Sequence, residues 1–315
     1  MNLKAILYEF SRPLLLVLLF ALFSVLAPSF WRPNNWANVS NIVFSQSPFL
    51  ILMSLAMTLS IIVKGIDLSI GSAVAMITCL AGIVLNVTYN PLLGILTGLA
   101  AGMCVGAVNG LLIAKVKVSP FIATYSMQWV LRGVAMLIMG GKSVYDLGPD
   151  FSDIFIGSRY TMLVITAVIV FLVSMTLRFT VFGHNIYSTG INAEAARISG
   201  IKTDKVVLFT YIISGFLIGL TSVMYTAYLK SAEPVIGGSF PIQAIAASLV
   251  GGASMGGGNG KVSHAVVGTF IMLVLTSGMI IIGVPNVWQD LVTGAVILMA
   301  ILMERGMRKL ATDLE

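Results

Sequence analysis

The glycine-rich stretch GGGNGKV, at residues 256–262, has the residue types of a site that binds phosphate groups. Such a loop needs the spacing G-x-x-x-x-G-K-[ST], in which backbone N–H groups cradle the phosphates and a hydroxyl holds Mg²⁺. In this chain Met255 stands where the first glycine is required, and Val262 replaces the hydroxyl residue. We therefore expect no ATP-binding site and no cofactor in this chain. The glycines instead favour a helix end and close packing of the next helix.

The histidines and cysteines are the other candidates for metal binding or catalysis, and they are isolated from one another in the sequence. His184 and His264 have no partner pattern, while Cys79 and Cys104 fall inside apolar segments, outside any CxxC or Cys/His cluster. Zinc sites and disulfide frameworks show clustered spacing. The sequence therefore predicts no catalytic residue and no metal site.

The composition indicates a protein that lipid, rather than water, must solvate. Of the 315 residues, 58% are hydrophobic and 10% are charged, whereas soluble domains carry roughly a quarter charged residues. Long uninterrupted apolar runs favour membrane-spanning helices over a barrel, whose strands alternate apolar and polar residues. The predicted fold class is an all-α integral membrane protein, with membrane lipid and not nucleic acid around it.

Apolar runs of spanning length follow one another along the chain, with no soluble domain between them. The eighth run is short and glycine-rich, so whether it crosses the whole bilayer is left open. We predict a single membrane domain over residues 1–315, with about ten transmembrane helices at 12–30, 42–63, 69–88, 92–114, 120–140, 160–178, 206–229, 242–256, 262–283 and 287–304.

The distribution of basic residues sets the predicted orientation. With both termini in the cytoplasm, thirteen of the 18 Lys and Arg lie on the inside and four outside, with Arg132 within the fifth span. Cytoplasmic loops carry an excess of Lys and Arg, which supports this orientation. It leaves an external loop at about 141–159 and an internal loop at about 179–205.

The internal loop contains a short predicted helix, Ala193 to Ser199. Asn192 is placed to cap it, and Gly200 supplies a left-handed stop after it. A helix this short is unstable alone and needs a surface to lie on. That surface is either its own membrane domain or another protein, which the small side chains of Ala193 and its neighbours would allow to approach closely.

Four motifs carry a resemblance to a known family. The stretch TGINAEAARISGI at 189–201 resembles the cytoplasmic coupling motif of ABC-transporter permeases, which docks into a groove on an ATP-hydrolysing subunit. The other three resemble signatures of the ribose/galactose/xylose branch of bacterial permeases, and they occur in the family's order: KGIDLSIGS at 64–72, VSPFIAT at 118–124 and AIAASLVGGASMGGGNGKV at 244–262.

The resemblance implies a type II ABC importer-like fold and a monosaccharide importer in the bacterial plasma (inner) membrane. The implied partners are an ABC ATPase that holds ATP and Mg²⁺, a soluble sugar-binding protein, and a second permease copy or paralogue that forms a dimer. The residues implied to couple to the ATPase are Gly190, Asn192, Glu194, Ala195, Ala196, Arg197 and Gly200. The chain departs from the family at Pro241-Ile242-Gln243, where an acidic pair is common, and at Lys64, where glycine is common.

A hydroxyl-rich solute needs a few hydrogen-bonding side chains along its path, but not a tight site that would trap it. The alternative role for these side chains is bonding within or between helices. For Asp67 the alternative is to cap the third helix, with its carboxylate accepting backbone N–H bonds. The pathway or gate candidates are Ser54, Thr58, Asp67, Ser69, Thr124, Gln128, Gln243, Ser248 and Gly251.

Two other classes of function compete with the importer. A secondary transporter driven by an ion gradient needs ion-coupling groups at the midplane and often an inverted repeat, and the spans offer few carboxylates. An intramembrane enzyme needs a convergent constellation of His, Asp, Glu or Ser, which two isolated histidines do not provide. The permease subunit of an importer, itself without enzymatic activity, is the leading hypothesis.

Overall fold

The computed structural model describes residues 3–26, 36–148, 150–158 and 160–312. Within these ranges the regular structure is helical, and the one isolated β-bridge pairs Val144 with Ala232. A π-helical turn, Ile42–Gln46, joins the second helix to the third. The helices are α1 Leu3–Leu26, α2 Trp36–Asn41, α3 Ser47–Ile62, α4 Ile70–Thr88, α5 Pro91–Ala114, α6 Pro120–Met139, α7 Phe151–Ile156, α8 Thr161–Phe179, α9 Val181–Ile191, α10 Ala193–Ile198, α11 Thr203–Leu229, α12 Phe240–Gly251, α13 Val262–Ile281 and α14 Asn286–Thr312.

The predicted all-α membrane class is confirmed. Among the described residues, 7 helical stretches are long and apolar enough to cross a membrane, and they correspond to predicted spans two to seven and nine. The first, eighth and tenth predicted spans coincide with shorter apolar helices, at Arg12–Leu26, Phe240–Gly251 and Val287–Leu302. The end of the first predicted span, at 27–30, lies outside the described residues, and the count of ten stays a prediction.

The eighth predicted span is shorter than the sequence suggested. Helix α12 has 12 residues and ends at Gly251, because Gly252 adopts a left-handed φ of 100°. At 1.5 Å per residue this helix is about 18 Å long, against about 30 Å for the hydrocarbon core of a bilayer. The predicted boundary of 242–256 is therefore wrong at its end, since 252–261 is a loop that leads to α13.

The core of the bundle is formed by α3, α4 and α11. Every residue of α3 is buried, and most of α4 and α11 is buried with it. Helices α5, α6 and α8 surround this core and leave large apolar side chains exposed, such as Leu137 and Phe171. Exposed apolar side chains on the outside of a bundle are what a lipid environment requires.

The closest helix pair, α5 with α11, packs through glycine. Glycines recur at every fourth position of α5, which places them on one face of the helix. A Cβ at Gly102 would overlap the carbonyl oxygen of Gly215, and one at Gly106 would overlap that of Tyr211. Small residues let membrane helices approach until their backbones touch, which is the small-xxx-small pattern. The α5 face consists of Gly94, Gly98, Gly102, Gly106 and Gly110.

Candidate coupling loop and pathway residues

The short helix predicted in the internal loop is present as α10. The Asn192 side-chain oxygen accepts hydrogen bonds from the backbone N–H groups of Glu194 and Ala195, each at 3.0 Å. Gly200 has a φ of +88°, and the backbone N–H of Ile201 donates to the carbonyl of Ala196 at 3.0 Å. The predicted cap and left-handed stop are confirmed, with the helix ending at Ile198 rather than Ser199.

Most of α10 is open to the surroundings. Glu194, Ala195 and Arg197 are exposed, and Ile198 is 81% exposed at the end of the helix. The side chains of Arg197 and Glu194 approach to 3.5 Å, which is an exposed pair of small energetic value. The exposed apolar side chain of Ile198, together with the small exposed side chains of Ala193 and Ala195, forms a surface that a protein partner can cover.

Two residues of the predicted coupling set do not face that surface. Ala196 is buried and packs against its own chain, so the expectation that its small side chain admits a partner is wrong. Gly190 is also buried, and it lies so close to the end of α3 that a Cβ there would overlap the carbonyl oxygen of Ile62. Gly190 therefore contacts the end of α3 instead of the exposed surface of α10.

Asp67 lies buried in the segment between α3 and α4. Its Oδ1 atom accepts hydrogen bonds from the backbone N–H of Ser69 at 2.9 Å and from the Ser69 hydroxyl at 2.5 Å. The Asn109 side chain on α5 donates to the same hydroxyl at 2.9 Å. Burial raises the pKa of the Asp67 carboxyl, and the two bonds from Ser69 act against that rise. The carboxylate accepts a backbone N–H bond as predicted, but Asp67 does not cap the helix, because the N-cap residue of α4 is Ser69 and the bonded N–H belongs to Ser69 itself.

Thr124 holds the same segment from α6. Its hydroxyl donates to the carbonyl of Ile66 at 2.8 Å, and it accepts from the backbone N–H of Leu68 at 3.2 Å. Thr124 is fully buried. The segment that carries Asp67 is therefore fixed to α4, α5 and α6 together.

Three of the predicted pathway hydroxyls form one buried chain between α3, α12 and α13. Thr58 donates to the Ser248 hydroxyl at 3.0 Å, and Ser248 donates to the carbonyl of Ser54 at 3.0 Å. The Ser54 hydroxyl lies 2.8 Å from that of Thr269. These side chains hydrogen-bond between helices, which is the alternative to a role in the pathway. Contact with a solute stays a prediction for them.

The remaining pathway candidates differ in burial. Gly251 is buried, and its close approach to the His264 carbonyl joins α12 to α13. Gln128 on α6 and Gln243 on α12 are only partly buried. Gln243 lies 3.5 Å from the Ser239 hydroxyl, which is too long for a strong hydrogen bond. The two glutamines are the pathway candidates that the structure leaves partly exposed, and contact with a solute stays a prediction for them as well.

Arg132 anchors the segment between α11 and α12. Its guanidinium donates to the carbonyls of Pro234 at 2.7 Å and Ile236 at 2.9 Å. Val144 pairs with Ala232 through two backbone hydrogen bonds, of 3.0 and 2.8 Å, which tie the loop after α6 to the same segment. The charge of Arg132 within the predicted fifth span was visible in the sequence, but its carbonyl partners were not, because they lie about a hundred residues away.

His264 is not isolated in the fold, since its Nδ1 atom lies 2.8 Å from a guanidinium nitrogen of Arg12. Among the described residues, no group of three or more His, Cys, Asp or Glu side chains could hold a metal ion. Cys79 is buried and Cys104 exposed, and neither is in a disulfide.

Comparison with known proteins defines the class. Residues 39–301 match the family described as branched-chain amino acid transport system / permease component. The chain belongs to this family: it is a multi-pass membrane permease subunit of an ABC importer, as the four motifs indicated. No solved structure gives a significant match to the chain.

Several relatives are named as permeases for ribose or D-allose. The chain is 35% identical to the ribose import permease protein RbsC of Escherichia coli strain K12, over 96% of this chain and 95% of that protein. It is 35% identical to the RbsC protein of Bacillus subtilis strain 168, over 92% and 90%. It is 32% identical to the D-allose transport system permease protein AlsC of Escherichia coli, over 94% and 91%. The similarity therefore extends over nearly the whole of both chains.

Proposed function

We propose that the chain imports a monosaccharide, with a pentose or hexose as the best candidate, and that a separate ATPase drives it through α10. The observation that carries this proposal is the capped helix α10, which presents Ala195 and Ile198 to the surroundings while Ala196 is buried. The relatives named for ribose and D-allose import support the substrate class. ATP and Mg²⁺ belong to the partner in this scheme, and this chain performs no chemistry.

Two permease copies, or this chain and a paralogue, form the pathway between them in the type II arrangement of about ten spans. A soluble sugar-binding protein delivers the solute at the outside, and closure of the ATPases moves α10 and opens the outer mouth. The pathway is weakly polar, since most of its candidate hydroxyls are already bonded within the subunit. Selection of the sugar then rests with the binding protein.

The isolated chain should accordingly bind sugar poorly. We expect a Kd for ribose or allose weaker than about 1 mM, which corresponds to about −4 kcal/mol. Isothermal titration of the detergent-purified chain measures this value. Binding near 1 µM without the soluble receptor would contradict the passive pathway and would favour a self-sufficient secondary transporter.

The orientation is tested by labelling single cysteines. Ser199 and Asp153 are both exposed, in the internal and external loops respectively. In a background that lacks the exposed Cys104, we expect Ser199→Cys to react with a membrane-impermeant maleimide only from the cytoplasmic side, and Asp153→Cys only from outside. The excess of basic residues around the internal loop is the reason. Reaction of both cysteines from one side would exclude the proposed topology.

A further inference from the structure

The end of α9, which leads into α10, is in close backbone contact with the glycine-rich loop of residues 252–261 and with the end of α3. The backbone N–H of Gly258 donates to the carbonyl of Ile62, the last residue of α3, at 2.8 Å. A Cβ at Gly190 would overlap that carbonyl and lie 2.6 Å from the Gly258 nitrogen, while one at Gly257 would lie 2.8 Å from the Gly190 carbonyl. We call Ile62, Gly190, Gly257 and Gly258 the glycine joint.

Two side-chain hydrogen bonds add to these backbone contacts. The Tyr187 hydroxyl on α9 donates to the carbonyl of Gly260 at 2.7 Å. The Lys64 ammonium group donates to the carbonyl of Ile191 at 3.0 Å, from a residue held at a φ of 63°. A left-handed φ is unfavourable for a lysine, so the surrounding contacts hold this backbone in place. The end of α9 is thus bonded both to the segment after α3 and to the loop after α12.

The joint lies close to α10 along the chain. Only Ile191 and Asn192 separate Gly190 from the first residue of that helix, and the Asn192 side chain caps it. On the other side of the joint, α3 carries Ser54 and Thr58, and α12 carries Ser248, which hydrogen-bond to one another. A continuous path of backbone contacts and hydrogen bonds therefore connects the coupling helix to the two helices that carry these pathway candidates.

We propose that the glycine joint transmits movement of α10 to the inner ends of α3 and α12, and that it moves as one rigid piece. Backbone atoms in contact leave no soft side chain to absorb a displacement, because packed interiors deform little. Gly190 is in this account a positioning residue, whose lack of a side chain lets three backbone segments meet. The inference rests on the proposed docking of an ATPase on α10.

The test is Gly190→Ala, with Gly133→Ala as its control. A Cβ at Gly133, on the exposed side of α6, would meet nothing within 4 Å. In the complete transporter, we expect Gly190→Ala to keep membrane insertion and copurification of the ATPase, because the exposed surface of α10 is unchanged. Sugar uptake should fall roughly tenfold or more, within the range of typical coupling free energies, while ATP hydrolysis continues without responding to the loaded binding protein.

The outcomes separate this inference from the proposed function. Failure of the wild-type chain to copurify with an ATPase refutes the proposed function itself, and with it the joint. Normal assembly with normal uptake by Gly190→Ala refutes the joint alone.

A second measurement decides the matter if Gly190→Ala does not fold. Spin labels at His184 on α9 and Asn259 in the loop after α12, which are both exposed, report the distance between two of the segments that meet at the joint. A rigid joint predicts the same distance distribution in the nucleotide-free and ATP-trapped transporter. A shift between the two states would show that the joint opens, and would overturn the proposal.

Discussion

Replacement of Ala195 by tryptophan is expected to abolish sugar import and to release the ATPase from the permease. Ala195 is exposed on α10, and its backbone N–H is one of the two that Asn192 caps. A tryptophan side chain there would fill the space that a docking groove needs for close approach, while the cap stays intact. Copurification of the ATPase and uptake in intact cells measure the two effects, and both should fall to background.

The control for this variant is Leu137→Trp, on the outside of α6, where the side chain is 82% exposed. That change adds the same large side chain away from the coupling loop, and it should leave assembly and uptake near the wild-type level. Full transport by Ala195→Trp would exclude α10 as the docking helix.

Substitution of Gly102 by valine is expected to give the largest loss of stability. Its Cβ would overlap the Gly215 carbonyl and lie within 2.8 Å of backbone atoms of Gly219, so α5 and α11 must separate to admit it. Overpacking of a core costs about 1–3 kcal/mol where side chains can adjust. Because the clash here is with backbone, we expect at least about 3 kcal/mol, together with a reduced yield of folded protein.

The matched control is Gly133→Val, which introduces the same side chain at an exposed position of α6 where a Cβ would meet nothing within 4 Å. Thermal unfolding of the detergent-purified variants should show a large decrease for Gly102→Val and a small one for Gly133→Val. Equal stability of the two variants would contradict the close backbone packing of α5 on α11.

Features set by local chemistry were predictable from the sequence. The cap at Asn192 and the left-handed Gly200 depend on residues a few positions apart, and both are found where the pattern placed them. The helical membrane class followed from the composition and from the long apolar runs. The spacing of the α5 glycines was equally available, as a repeat at every fourth residue, but it indicates a packing face without identifying α11 as the partner.

Features set by tertiary contacts were not predictable. The burial of Ala196 depends on how α10 lies on the bundle, and an alanine has no side-chain property that reveals this. The glycine joint brings together residues that are more than sixty positions apart, and Arg132 binds carbonyls about a hundred residues away. Polar residues such as Ser54 and Ser248 fit either a pathway or an interhelical bond, and only the fold shows that they bond to one another.

The most direct test of the account is sugar uptake into proteoliposomes that contain this chain and its ATPase, with the sugar-binding protein added outside and ATP enclosed. We predict uptake only when all three proteins and ATP are present, and no uptake by this chain alone under any imposed proton or sodium gradient. Gradient-driven uptake by this chain alone would contradict the account, and so would its failure to support uptake with the complete set of partners.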